Sequence, residues 1–313
     1  MINKVKKILG ENNYLKIKQL YMKIFLNSTP QKEKYIKKKF KKELGYEIDF
    51  NKEPETFNQK IQFRKLYDNN PLYSICADKY RVREYVKEKI GEEYLIPLYL
   101  VTDKLTEEQW DKLPNSFVAK ANHNSGPVQI VKDKSKVDKK KIIKELNNQL
   151  EIDYGIISME KYYSDIPRKI IVEKLLLGKD NEIPEDYKFH CFKEKIIIQV
   201  DKNRYREHTQ DFFDEYWNKL NLKCISENSK EEIKKPGVLL EAIAICKKLL
   251  EDFEYVRVDI YIIENKIYFG ELTFAPWSGS VSFKPYEMDI KFGEYWESDL
   301  FLKVRREDVK KNN

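Results

Sequence analysis

VRVDIYIIENKIYFGELTFAPWSG, residues 256–279, reads as two apolar strands joined by a short polar turn, yet Arg257, Asp259 and Glu271 sit inside them. An ionised side chain on a buried sheet face is costly unless something pairs with it. Side chains alternate faces along a strand, so Tyr255, Arg257, Asp259 and Tyr261 share one face and Val256, Val258, Ile260 and Ile262 the other. In the second strand Ile267, Phe269, Glu271 and Thr273 are expected on one face. A three-residue loop, Glu264-Asn265-Lys266, would set Asp259 opposite Glu271 and Arg257 opposite Thr273. Two carboxylates directly across a ladder repel. A divalent cation between them removes the repulsion, and Mg2+ characteristically uses one or two carboxylates plus the phosphates of a nucleotide. Arg257 can then contact a phosphoryl oxygen bidentately. The bland alternative is a solvent-facing strand with an ordinary salt bridge. The apolar neighbours, and the tight TFAPWSG turn that would close the site, count against it.

At 313 residues the chain is long enough for two or three packed lobes. Apolar residues make up 41% and charged residues 35%, so the core rests on 21 Tyr and 16 Phe as well as on Ile and Leu. The net charge of +7 is unevenly placed: residues 1–60 hold 15 Lys against 7 acids, a surplus of +8, and the remainder sits near −1. A basic amphipathic stretch can sit on anionic lipid, an acidic polymer or nucleic acid. It can equally be a solvated helical face. No run approaches the ~20 apolar residues needed to span a bilayer, and the first thirty residues lack the apolar core of a signal peptide. Cys76, Cys191, Cys224 and Cys246 form no CxxC pair and no ligand spacing with the three His. Reduced, structural thiols in a cytoplasmic chain, without structural zinc, are expected.

Residues 1–45 carry Leu15, Ile17, Leu20, Tyr21 and Ile24 at helical spacing among lysines, which predicts one or two helices. A further helix is expected over 56–69, then one over 74–91 with Asp78 as N-cap and Gly91 as stop, then a strand, YLIPLYLV, at 94–101. FVAK and VQIV, around the Asn-, Ser-, Gly- and Pro-bearing tip ANHNSGP, predict a hairpin with a loose polar tip. Helix 138–150, an apolar strand at 168–176 and, opening a unit over 186–214, a hairpin turned at Lys193 to Lys195 follow. Next come a polar stretch, helix 236–252, the two strands quoted above, and a helical or irregular tail. Three consecutive α+β units are not an alternating βαβ pattern, and neither GxGxxG nor GxxxxGK[ST] is present.

Lys120, Glu173 and the three histidines are the further positions that could carry chemistry. Lys120 ends an apolar strand and leads into a loop whose backbone donors could cover phosphates. Glu173 follows Ile170, Ile171 and Val172 and precedes a run of leucines, a setting that suits recognition of adenine or, in isolation, a solvated strand end. His123, His190 and His208 are expected to be surface or phosphate-adjacent donors. Cys191 points away from His190 on the strand, so the two form no dyad.

NQKIQFRKLYDNNPLYSICADKYRVREYVKEKIGEEYLIP, FVAKANHNSG, VEKLL, DYKFHCF and the stretch quoted first occur in the order in which they occur in TupA-like ATP-grasp proteins. The chain resembles that family over about residues 55–300, most specifically in ADKY…VREYV and in the final hairpin. The family is associated with bacterial cell-surface polysaccharide and teichuronopeptide synthesis. The resemblance implies an α+β ATP-grasp fold with the nucleotide held between two α+β lobes. Its parts would be a basic helical segment (1–55), a small N-terminal α/β lobe (56–112), a small subdomain with a phosphate-covering hairpin (113–177) and a large subdomain with the magnesium hairpin and C-terminal tail (178–313).

Carried over position by position, Lys120 resembles the lysine on the α- and β-phosphates, and Gly126 would let its loop bend. Glu173, Lys174 and Leu176 resemble the adenine-reading segment, and Asp180 the acid on the ribose. Asp259 and Glu271 resemble the magnesium acids and Arg257 the arginine beside them, while Thr273 stands where many ATP-grasp enzymes have an asparagine ligand. Lys188 and Arg206 are phosphate or substrate candidates. The implied chemistry uses ATP and Mg2+: a carboxylate becomes an acylphosphate, which an amine then attacks. An acidic saccharide or polymer and an amine co-substrate would be the partners. Residues 1–60 would favour an anionic membrane, at its inner face, or polysaccharide-assembly proteins.

Two other classes compete. A metal-dependent glycosyltransferase would be expected to carry DxD in a loop after a strand, whereas these acids lie twelve residues apart on a hairpin. A non-catalytic nucleic-acid binder would spread basic residues over a folded face with interleaved aromatics, whereas the surplus here is confined to residues 1–60.

Overall fold

The computed structural model describes residues 10–178, 181–203 and 207–302. Its helices are α1 (Glu11–Phe25), α2 (Thr29–Leu44), α3 (Phe57–Tyr67), α4 (Leu72–Cys76), α5 (Val82–Lys89), α6 (Glu107–Lys112), α7 (Lys139–Gln149), α8 (Tyr154–Ser158), α9 (Leu239–Leu250) and α10 (Glu287–Glu294). The strands are β1 (Leu98–Thr102), β2 (Phe117–Ala121), β3 (Gln129–Val131), β4 (Ile170–Glu173), β5 (Asp186–Phe192), β6 (Ile196–Lys202), β7 (Thr209–Asp214), β8 (Tyr255–Ile263) and β9 (Lys266–Thr273). The chain divides into two compact units, one of Met1–Gln31, Asn69–Glu84 and Ile96–Leu176, the other of Lys32–Asp68, Tyr85–Leu95 and Leu177–Asn313. Among the described residues no helix is long and apolar enough to cross a membrane.

The first unit is built on an antiparallel sheet of order β1-β4-β2-β3. Phe117, Ala119, Ile170 and Val172 share its apolar face and pack with Trp110, Leu113, Ile142 and Leu146 of the α6 and α7 regions. The Trp110 ring meets Phe117 edge-on at 5.1 Å. Thr106 with Gln109 forms a capping box on α6, and Asp138 caps α7 through the Lys141 amide. The single helix expected over 74–91 is instead α4 and α5. Between them Asp78, 1% exposed, accepts the Tyr80 amide and the Asn122 side chain, both at 2.8 Å, so its carboxylate fixes a turn rather than capping a long helix.

The tip expected to be loose is anchored at its base. Asn122 and His123 are fully buried; the Asn122 side chain also donates to the Pro167 carbonyl at 2.9 Å, and His123 Nε2 lies 3.0 Å from the Ile152 carbonyl.

The second unit is built on an antiparallel sheet of order β7-β6-β5-β8-β9. Phe189, Cys191, Ile198, Val200, Val256, Val258 and Ile260 fill its apolar face, across which α9 packs on β5 and β8. The polar stretch after the β5–β6 hairpin is a strand, β7, and its polar residues were the reason the sequence does not read as one. Helix α3 places Phe57, fully buried, in an aromatic cluster with Tyr255 at 5.1 Å, Phe292 at 5.8 Å and Trp296 at 5.9 Å. Its polar side chains are buried as well and donate to main-chain carbonyls. Arg64 binds those of Tyr255 and Phe274, and Gln62 those of Ser278 and Gly279. A helix of mixed polarity thereby pins the turn that follows β9.

In the β8–β9 hairpin the expected pairings of Asp259 with Glu271 and Arg257 with Thr273 are found, but the route to them differs. The loop has two residues, Glu264 and Asn265, both with positive φ (50° and 62°), the geometry of a type I′ turn. A bulge at Gly270 then adds the missing residue, because Ile260 pairs with Phe269 while Asp259 pairs with Glu271. Ile267 and Phe269 therefore lie with Ile262 and Ile260 on the apolar face, not with Glu271 and Thr273. Glycine is required at the bulge: a Cβ there would stand 2.9 Å from the Asp259 carbonyl oxygen.

Candidate active site

The other face of the five-stranded sheet is polar and almost closed to solvent. Lys188 of β5 pairs with Asp259 of β8 and with Gln199 of β6, which sets their side chains on one face. The Lys188 ammonium lies 3.2 Å from Asp259, 3.5 Å from Asp186 and 3.7 Å from Asp201. Arg257 grips Asp259 with two hydrogen bonds of 2.7 Å, from Nε to Oδ1 and from Nη2 to Oδ2. The same Nη2 donates to Thr273 Oγ1 at 3.1 Å and reaches Glu271 Oε1 at 3.5 Å, and Thr273 donates to Glu271 at 3.0 Å. Burial pushes the Asp259 carboxyl up, against the pull of Arg257 and Lys188. Burial also opposes the charge of Arg257, but Asp259 and Glu271 outweigh it and hold the guanidinium firmly protonated. Between the facing carboxylates stands the guanidinium of Arg257, which reaches both.

A second line of bonds supports this one. Gln199 donates its amide to both oxygens of Asp201 at 3.0 Å, and Gln210 adds a donor at 3.1 Å. Burial alone would raise the Asp201 carboxyl; Lys188, Gln199 and Gln210 together hold it below its usual value. With its amide committed to Asp201, Gln199 turns Oε1 toward His190 Nε2 at 3.0 Å, so Nε2 carries the proton. His190 Nδ1 then accepts from the Tyr255 hydroxyl at 2.9 Å. His190 is fully buried, and burial drives its pKa down to about 3. It is neither a surface nor a phosphate-adjacent donor, and the same correction holds for buried His123, whose pKa burial lowers to about 4.

In the first unit Lys120 and Glu173 project from one face of the sheet, since Lys120 pairs with Ile171 and Val118 with Glu173. Their charged groups meet at 2.6 Å, and Arg83 approaches the other Glu173 oxygen at 3.9 Å while donating to the Ile96 carbonyl at 2.9 Å. Lys174 is exposed, its amide bonded to the Pro97 carbonyl at 2.9 Å, and Leu176 is half-buried. Gly126 lacks the positive φ that would demand glycine; its amide closes a turn on the Asn124 side chain at 3.1 Å. Asp180 and Arg206 lie outside the described residues.

The model of the TupA-like ATP-grasp family matches residues 59–297. The chain belongs to that family. This TupA-like chain has the ATP-grasp fold, here a four-stranded and a five-stranded antiparallel sheet with helices. No curated protein matches it. Among solved structures it is similar to D-alanine-D-alanine ligase from Helicobacter pylori, with 18% identity, a TM-score of 0.43, and coverage of 72% of this chain and 62% of that one. It is also similar to the ATP-complexed D-alanine–D-alanine ligase from Bacillus anthracis, with 19% identity, a TM-score of 0.42, and coverage of 78% and 69%. A third is N5-carboxyaminoimidazole ribonucleotide synthetase from Thermus thermophilus, with 11% identity, a TM-score of 0.39, and coverage of 66% and 48%. The chain thus spans less than two thirds of the length of the first of these relatives. ATP-grasp ligases as a class use ATP with Mg2+ and form carbon–nitrogen bonds.

The donor set of the TupA-like chain fits such a metal. Among the described residues no three His, Cys, Asp or Glu side chains are grouped as ligands. Mg2+, however, needs only one or two carboxylates beside phosphates and water, and Asp259, Glu271 and the Thr273 hydroxyl are hard oxygen donors side by side. The ion-paired cluster sets four carboxylates (Asp186, Asp201, Asp259, Glu271) around two cations (Lys188, Arg257). Asp186, Gln199, Asp201, Gln210 and Arg83 did not stand out in the sequence. The alternation of polar residues along β5 and β6 is the signal that could have found the first three.

Proposed function

We propose that this chain is an ATP- and Mg2+-dependent carboxylate–amine ligase acting on a cell-surface polysaccharide or its precursor, for example joining an amino acid to a uronic acid. In the first step a carboxylate oxygen of the acid bonds to the γ-phosphorus and ADP leaves. In the second, the amine nitrogen bonds to the acyl carbon, inorganic phosphate leaves, and the nitrogen gives up its proton. The observation that carries the reading is the Asp259–Glu271 pair with Arg257 and Lys188 on a closed polar face. Asp259, Glu271 and Thr273 would hold Mg2+, whose charge would neutralise the phosphates when bound. Arg257 and Lys188, fixed by the carboxylates around them, present positive charge where negative charge moves, with no reorganisation needed. Lys120 and the loop bearing Gly126 would serve the α- and β-phosphates, Glu173, Lys174 and Leu176 the adenine, Asp180 the ribose, and Arg206 the phosphates or substrate. No covalent nucleophile is required.

The test is the thermal shift given by Mg2+-ATP to the wild type and to Asp259→Asn and Glu271→Gln. Binding at a hundredfold excess over Kd stabilises the native state by ~2.7 kcal/mol. A rise in melting temperature that both variants lose is expected, followed by ADP release dependent on an acidic saccharide and an amine. A shift with a UDP-sugar and none with ATP would overturn the reading.

A further inference from the structure

Helix α1 exposes an apolar stripe that no other described element covers. Ile17, Leu20, Tyr21, Ile24 and Phe25 are 55%, 59%, 49%, 54% and 56% exposed. On a wheel of about 100° per residue they fill one arc of roughly 140°. The Tyr21 and Phe25 rings lie 5.0 Å apart within it. The opposite side of the helix is what holds it to the first unit. Met22, 3% exposed, faces inward, the Gln19 side chain accepts the Asp153 amide at 2.7 Å, and Lys16 pairs with Glu151. The stripe is therefore a fixed feature of a docked helix.

The charges around it decide what it fits. At the same pitch Lys16 and Lys23 fall along one edge of the stripe and Lys18 along the other. Glu11 is the one acid between residues 1 and 32, against Lys4, Lys6, Lys7, Lys16, Lys18, Lys23 and Lys32. A second copy of the helix would bring lysine edges against lysine edges. An anionic lipid surface takes the apolar side chains below its headgroups and the lysines among them, the composition of a helix that lies in the interface. We infer that α1 docks this chain on an anionic membrane surface through Ile17, Leu20, Tyr21, Ile24 and Phe25. The inference is independent of the ligase reading, since it uses none of the residues assigned there.

The experiment is co-sedimentation of the full chain with phosphatidylglycerol-containing vesicles and with pure phosphatidylcholine vesicles, at low and at physiological salt. Ile24→Asp and, separately, Ile17→Asp change exposed side chains, and their melting temperatures should match the wild type; Leu240→Asp, at a position 76% exposed on α9, is the control. The wild type and the control should pellet with the anionic vesicles, less at higher salt. Each α1 variant should bind roughly tenfold or more weakly, the factor for withdrawing one buried isoleucine. Binding to neither vesicle, equal binding by the α1 variants, or a concentration-dependent dimer abolished by Ile24→Asp in place of vesicle binding would each overturn the inference.

Discussion

His190→Gln should flatten the response of stability to acid. In the fold this imidazole is neutral, shut between the Tyr255 hydroxyl and Gln199, with its pKa lowered by burial from 6.5 to about 3. A depressed pKa means that only the unfolded chain takes up the proton as pH falls below about 6.5. The stability tied to neutral His190 is thus complete above that value and is lost progressively as pH drops toward 3. At pH 5 the unfolded state gains about 2 kcal/mol from this one group, by linkage from an unfolded pKa of about 6.5. Other buried groups contribute in both wild type and variant: His123 in the same direction, and Asp78 and Asp289, raised by burial, in the opposite one. The quantity to measure is therefore the difference between the two proteins. Urea unfolding at pH 7 and pH 5, followed by tryptophan fluorescence, suits it, since Trp277 stacks on His190 at 5.1 Å. Wild type should lose about 2 kcal/mol more than His190→Gln across that interval. Parallel losses would refute the reasoning, because they would mean that His190 takes up its proton in the folded chain as readily as in the unfolded one.

Asp259→Asn leaves Arg257 and Lys188 without their nearest carboxylate; breaking such a buried pair costs about 3–5 kcal/mol, a fall in Tm of roughly 6–20 °C by calorimetry. The double variant Arg257→Met/Asp259→Leu should be more stable than either single one, as a double-mutant cycle in urea would show. Gly270→Ala forces a Cβ to 2.9 Å from the Asp259 carbonyl and should cost about 1–3 kcal/mol by chemical denaturation. Phe57→Ala empties the centre of the second unit's aromatic cluster and should cost about 3–5 kcal/mol by the same measurement.

What the sequence made legible was whatever alternation and turn chemistry write locally. The two faces of β8 follow from the odd and even residues of YVRVDIYII, and the helix expected over 138–150 is found as α7. The register of β8 against β9 came out correctly through two compensating errors. A loop one residue too long stood in for a bulge, though a glycine inside a strand is the usual mark of one. Interactions between distant segments were not legible. β7 is polar because Gln210 serves Asp201, and α3 shows no clean apolar face because Arg64 and Gln62 bind carbonyls some two hundred residues away. The histidines misled for the same reason: the partners that make burial of His190 tolerable, Gln199 and Tyr255, lie on other strands.

The acids in β8 and β9 raise a question of stability that the geometry answers in two parts. Once Asp259 and Lys188 are buried, each needs the others, since Arg257 spends three donors on the pair of carboxylates and the threonine, and Lys188 stands among three aspartates. That interdependence makes removal of any one group costly. It does not make the whole cluster stabilising, because the desolvation of ions in a closed face offsets their attraction, and apolar side chains of similar volume commonly do as well or better. If the double variant lacking both Arg257 and Asp259 proves sturdier than either single one, the charges are costly as a set and cohesive only among themselves. Their place in the centre of a five-stranded sheet then calls for a reason other than folding. Oxygen donors on neighbouring strands beside two fixed cations, on a face built from four strands, are suited to holding a divalent ion and the phosphates it accompanies.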